Sequence, residues 1–113
     1  MPRRPAAKPM PPGGFDAVAS RFRCLADSTR LRVLYELSQG PKTVSELTER
    51  VGITQPNTSR HLQTLLREGL VSRERQGSHV SYAIRDPSVY QLCELVCGSI
   101  QRRLDDERRA WVG

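Results

Sequence analysis

Two short helical patterns meet at Val51-Gly52-Ile53-Thr54, and this junction restricts the possible folds of the 113-residue chain more than any other feature. Before it, Thr43 and Glu46 stand at the spacing of a capping box, in which a hydroxyl and a carboxylate each satisfy an N–H at the start of a helix. After it, Thr54 is placed to cap a second helix, and Pro56 sits in the first turn, where a missing N–H costs nothing. Gly52 closes the first helix and Gly69 ends the second. A four-residue, glycine-containing turn between two such helices reads as a helix-turn-helix.

The second helix has the composition of a reader. Thr58, Leu62, Leu65 and Leu66 form its inward face. Pro56, Ser59, Arg60, Gln63 and Arg67 point the other way, with Gln55 and Asn57 at the exposed N-terminus and His61 beside them. Glutamine and asparagine pair bidentately with adenine, arginine with guanine, and serine with either, so this chemistry suits a major groove. An ordinary solvated face would be rich in Glu and Lys, yet no acid occurs from Thr54 to Gln63. Beyond Gly69 the apolar period becomes two. Val80, Tyr82 and Ile84 alternate with Ser81 and Ala83, and Gly77-Ser78 separates them from residues 70–76, which predicts a β-hairpin. Arg73, Arg75, Gln76 and His79 cluster there, within reach of flanking phosphates or a minor groove. The expected DNA-contacting set is therefore Gln55, Asn57, Ser59, Arg60, His61, Gln63, Arg73, Arg75 and His79.

The remaining helices follow from apolar spacing. Phe15, Val18, Phe22 and Leu25 mark a first helix over 15–25. Asp27 is placed to cap a second, with Leu31, Leu34, Tyr35 and Leu37 expected as its buried face and Gly40-Pro41 as its stop. Val89, Leu92, Val96, Ile100 and Leu104 share one stripe of a long helix from Pro87 to about residue 108. The expected fold is mainly α with a small β-hairpin: a winged helix-turn-helix of five helices and a two-stranded wing. The stripes on the first and last helices are wider than a small domain can cover, which implies a homodimer through those helices. Residues 1–14 hold five of the eight prolines and no apolar period, so they are expected to form a disordered basic tail ahead of one domain over 15–113. The net charge of +6 agrees with a nucleic-acid partner. No apolar run approaches the roughly 18 residues that cross a membrane. Three cysteines without a signal-peptide pattern point to a reducing cytoplasm.

The stretches CLADSTRLRVLYELSQG, TVSELTERVGITQPNTSRHLQTLLREGLV and RQGSHVSYAI together resemble the ArsR/SmtB family of bacterial repressors over about residues 15–104. The resemblance implies a homodimer that binds operator double-stranded DNA, needs no cofactor to do so, and releases it on sensing a metal or another signal. It places Gln55, Ser59 and Arg60 where family members touch bases. It also implies two familiar metal sites whose ligands are missing here. Thr43 and Ser45 stand where a cysteine pair precedes Glu46-Leu47. In the last-helix site Asp86 is kept, but Ser88, Ser99 and Arg102 occupy the other positions. A standard zinc, nickel or cobalt sensor does not fit.

Cys24, Cys93 and Cys97 offer another site. Cys93 and Cys97 are spaced i, i+4 and share a helix face, and Cys24 ends the first helix, expected to pack near the last one in a dimer. Thiolates suit soft ions, so trivalent arsenic or antimony is the first expectation for the inducer. A redox or reactive-sulfur switch on the same thiols is the alternative, and simple packing of cysteine as a small hydrophobe is the third reading. Arg21, Arg23 and Arg30 are expected to lower a thiol pKa. His61 and His79 are not spaced with each other or with a cysteine as metal ligands would be. No nucleophile with a matching base, phosphate loop or paired-carboxylate site points to an enzyme. A winged helix used only for protein contacts would carry acids or aromatics where QPNTSR stands.

Overall fold

A computed structural model describes residues 8–112; half of the proline-rich tail, residues 1–7, lies outside them. The elements run α1 (Gly14–Leu25), α2 (Ser28–Ser38), β1 (Lys42–Thr43), α3 (Val44–Val51), α4 (Gln55–Arg67), β2 (Val71–Gln76), β3 (His79–Ile84) and α5 (Pro87–Val112). This is the winged helix-turn-helix expected, with five helices and an antiparallel hairpin.

Local chemistry sets the helix ends. The Asp27 carboxylate accepts from the Arg30 N–H at 3.0 Å and starts α2. Thr43 and Glu46 form the reciprocal capping box of α3, at 3.1 and 3.2 Å. The Thr54 hydroxyl accepts from the Asn57 N–H at 3.3 Å and starts α4. Gly52, at φ 76°, makes the left-handed turn out of α3 that a side chain would resist.

Leu47, Leu62, Leu65, Leu70, Val33 and Val71 are almost wholly buried and join α2, α3, α4 and the hairpin base into one core. Thr58 is the one buried polar residue within it. Its hydroxyl donates to the Thr54 carbonyl at 3.0 Å and accepts from the Thr48 hydroxyl at 2.8 Å. This pair ties α3 to α4 at the heart of the helix-turn-helix.

Three details differ from the sequence reading. The sheet has three strands in the order β1-β3-β2, with Lys42 opposite Tyr82 and Thr43 opposite Ser81, so a strand outside the expected two-stranded wing joins it. Thr43 is both the end of β1 and the N-cap of α3, which couples the wing to the first helix of the reader motif. On α2 the buried residues are Val33, Leu34 and Leu37, whereas Leu31 and Tyr35 are exposed. Finally, α1 starts one residue early, at Gly14, and α5 runs past residue 108 for 26 residues in all, about 39 Å at 1.5 Å per residue.

The apolar stripes of α1 and α5 stay largely uncovered. Phe15, Val18 and Phe22 on α1 and Leu92, Leu95, Val96, Ile100 and Leu104 on α5 are exposed in the single chain. Among the described residues of these helices, only Cys24, Leu25 and Val89 are buried.

Thr58→Val keeps the volume but leaves the Thr48 hydroxyl without its buried partner. Chemical denaturation should show a loss of about 0.5–1.5 kcal/mol, the usual net worth of one hydrogen bond, because the half-buried Thr48 hydroxyl can turn to water.

Candidate nucleic-acid interface

The α4 N-terminus presents Gln55 and Pro56 to solvent, with Asn57 and Ser59 half-buried and Arg60 and Gln63 exposed. The Arg60 guanidinium donates to the Asn57 side-chain oxygen at 2.7 Å. The two side chains are therefore pre-ordered as a pair on the outer face, with further guanidinium N–H groups left for a base edge or phosphate. Arg67, one turn beyond Gln63, is exposed and lies within 3.4 Å of the Thr64 hydroxyl.

His61 departs from this face. It is half-buried, and its Nδ1 lies 3.4 Å from Arg30 Nη1 on α2. At 100° per residue it falls between the outer face and the core, so it packs against the body rather than standing among the reading side chains.

The wing divides its polar groups between two faces. Arg73 lies opposite Tyr82 and Arg75 opposite Val80, while Gln76 lies opposite His79 and Glu74 opposite Ser81. Alternation puts Arg73 and Arg75 on one face and His79, Gln76 and Glu74 on the other. All five are exposed. The two arginines share a face that His79 does not.

The cysteines occupy three environments. Cys24 is buried, Cys93 half-buried and Cys97 exposed; all are free thiols. Cys24 belongs to the core cluster, and Cys93 packs against it. Burial pushes the Cys24 thiol above its ordinary pKa and outweighs the lowering by Arg30 and Arg21, so the expected arginine activation is reversed. Burial likewise raises Cys93, and the neighbouring Cys97 adds to the rise. Among the described residues of one chain, no three His, Cys, Asp or Glu side chains gather closely enough to hold a metal ion.

Sequence reasoning missed the junction where α4, the wing and α5 meet. Arg21 on α1 donates to the Glu68 carbonyl at 2.8 Å and to the Asp86 carboxylate at 3.1 Å. Ser20 donates to the Glu68 carboxylate at 2.6 Å. Asp86 also caps α5 by accepting from the Ser88 N–H at 3.1 Å. The Ser88 hydroxyl, helped by the backbone N–H groups of Ser88 and Val89 and by Arg21, holds Asp86 below its ordinary pKa. The partners of Arg21 lie 47 and 65 residues away, beyond the reach of any local spacing rule.

A family model described as a bacterial regulatory protein of the arsR family matches residues 27–73, from the cap of α2 into the wing. The arsenical resistance operon repressor of Bacillus subtilis is 41% identical over 80 residues, which span 68% of this chain and 76% of that repressor. The chain belongs to the ArsR family. A probable mercury resistance operon repressor of Streptomyces lividans is 42% identical over 80 residues, or 71% of this chain; the match spans 64% of that repressor, just under two thirds of its length. Among solved structures, the homodimeric winged helix-turn-helix DNA-binding domain of a possible ArsR-family regulator from Mycobacterium bovis superposes with a TM-score of 0.77 at 28% identity, covering 90% of this chain and 94% of that one. No helix among the described residues of this ArsR-family protein is long and apolar enough to cross a membrane.

The thiol environments predict an order of alkylation. Iodoacetamide should modify Cys97 first, Cys93 more slowly, and Cys24 only as the fold opens. For Cys93 and Cys24 the pH midpoint of the rate should lie above that of an ordinary thiol, because the thiolate is the reactive form. Site-resolved mass spectrometry over a pH series checks both the order and the sign.

Proposed function

We propose that the protein is a homodimeric transcriptional repressor of the cytoplasm that binds operator DNA through α4 and the wing and releases it when a thiophilic metalloid or metal engages its cysteines. The observation that carries the DNA reading is the acid-free outer face of α4, where Gln55, Asn57, Ser59, Arg60 and Gln63 stand beside a wing bearing Arg73 and Arg75. Gln55, Ser59 and Arg60 read base edges, with Asn57 holding the Arg60 guanidinium. Arg73 and Arg75 neutralise phosphates. His61, turned toward Arg30, and His79, on the opposite face of the wing, stand outside this contact set.

The dimer forms through α1 and α5. Each helix exposes a stripe of large apolar side chains that is costly to leave in water, and the Mycobacterium bovis relative of the same fold is described as homodimeric. Pairing fixes the separation of the two reader helices, which must match successive major grooves roughly 34–36 Å apart.

The inducer reading rests on the thiols and on the mercury and arsenical operons in the names of the two relatives. Cys93 and Cys97 sit one helical turn apart and supply two soft ligands. A third ligand within one chain is not assembled, so a three-coordinate site draws on the partner subunit or on Cys24 after local opening of the core. Trivalent arsenic, antimony or mercury(II) binds thiolate, so each thiol loses its proton on binding and occupancy strengthens as pH rises. Binding on α5 alters the dimer packing and with it the spacing of the readers.

The test is a gel shift on the promoter of the protein's own gene, with arsenite, antimonite, mercury(II), zinc, peroxide and polysulfide added in turn. Release by arsenite, antimonite or mercury(II) is expected. Release by peroxide or polysulfide alone would replace the metal reading with thiol oxidation. Arg60→Ala should cost about 1–3 kcal/mol on the cognate duplex and much less on random DNA, whereas Arg75→Ala should weaken both alike and shallow the salt slope by about one unit. The Cys93→Ser and Cys97→Ser proteins should bind DNA normally and fail to release it, losing a coupling of about 5–150-fold in affinity. Unchanged release by the triple variant lacking Cys24 as well would place sensing elsewhere.

A further inference from the structure

Four chain segments meet beneath one guanidinium. Glu68 is the C-cap of α4, and its carbonyl accepts from Arg21 Nη2. Gly69, at φ 73°, turns the chain out of α4. A side-chain carbon there would lie 3.9 Å from Arg21 Nη2, so the guanidinium rests against the turn itself. The Leu70 carbonyl then accepts from the N–H groups of Arg85, at 2.9 Å, and Asp86, at 3.4 Å, which pins the two ends of the hairpin together. Asp86 starts α5 and binds Arg21 Nη1.

Each partner favours this cation. A helix C-terminus ends in carbonyls with no intrahelical donor and carries partial negative charge. Asp86 adds a full one. Arginine alone offers a rigid planar fork that serves both at once, whereas lysine is a point charge that serves them by turns. Ser20 on the same helix donates to the Glu68 side chain and adds a second tie between α1 and the end of α4.

We propose that Arg21 is a positioning residue for DNA recognition, locking the end of α4 and the base of the wing to α1 and the start of α5 so that the two readers of a dimer keep one separation. The proposal rests on the DNA-binding reading above. Sequence-specific binding needs both readers in register, whereas non-specific binding needs only charge near phosphate. A loosened junction therefore lowers the first and spares the second.

The experiment uses the full chain as wild type, Arg21→Gln, Arg21→Lys and Asp86→Asn. Asparagine still caps α5, so the last variant removes the ion pair while keeping the helix start. Affinity is measured for the duplex that wild-type protein enriches from a random library and for an unrelated duplex of equal length, across a salt series. Hydrogen exchange is followed without DNA, and dimerisation by ultracentrifugation. Arg21→Gln should bind the enriched duplex about tenfold more weakly, as expected for one interaction in a network. Its affinity for unrelated DNA, its salt slope and its dimerisation should match wild type. Exchange should quicken at residues 66–71 and 84–89. Arg21→Lys should recover part of the loss, and Asp86→Asn should show a smaller loss of the same kind. Equal weakening on both duplexes with a shallower salt slope would make Arg21 a phosphate contact and overturn the proposal. So would wild-type exchange at the junction in Arg21→Gln. If wild-type protein enriches no duplex, the DNA reading fails, and the exchange measurement still decides whether the lock exists.

Discussion

A buried hydroxyl pair decides how the reader motif is assembled. Thr58 is wholly buried, donates back to the Thr54 carbonyl and accepts from Thr48 across the helix interface. A hydroxyl at such a position is stable only when both of its roles are filled, so the crossing of α3 and α4 is restricted to geometries that bring Thr48 into reach. Leu47, Leu62 and Leu65 then fill the space around that contact. Apolar packing alone would tolerate a range of crossings, and directional bonding selects among them. The outer face of α4 inherits this setting, because once the inner face is fixed the directions of Arg60 and Gln63 follow from helical geometry.

The molecule thus separates into two layers with different physics. The inner layer, α2 to α4 with the hairpin base, buries most of its apolar residues within one chain, Leu31 and Tyr35 excepted. The outer layer, α1 and α5, buries only Cys24, Leu25 and Val89 and leaves its broad stripes bare. Three ties of α1 to the inner layer are polar and partly exposed: Arg21, Ser20, and the Cys24 carbonyl held by Arg30 at 2.7 Å. Polar ties of this kind constrain direction more than they add stability, so small shifts in the outer layer can be transmitted without unfolding the inner one.

Much of this was legible from local chemistry. Thr43 with Glu46, Thr54 and Asp27 marked helix starts that the structure shows bond for bond. The errors share a physical origin in distance. A two-residue strand at Lys42–Thr43 shows no period, and its pairing with Tyr82 and Ser81 is non-local. Leu31 and Tyr35 fit an apolar helix face, but periodicity cannot tell a face turned to the chain's own core from one left outside it. His61 sits one step around the helix from Arg60, and only tertiary packing against Arg30 reveals that it leaves the reading face. At Cys24 the nearby arginines were readable, while the burial that outweighs them was not.

The short strand β1 has a consequence for the company the wing keeps. By pairing with Tyr82 and Ser81 it covers the middle of β3, while β2 forms the other edge of the sheet along six residues. That margin reads Val-Ser-Arg-Glu-Arg-Gln, with charged side chains at three successive positions. An unpaired strand invites edge-to-edge addition of another chain, and charge is the usual deterrent. Copies crowded side by side on one stretch of polyanion meet at high local concentration. Charges of β2 brought edge to edge with those of another copy would keep neighbouring wings from zipping into a common sheet, so they guard against self-association.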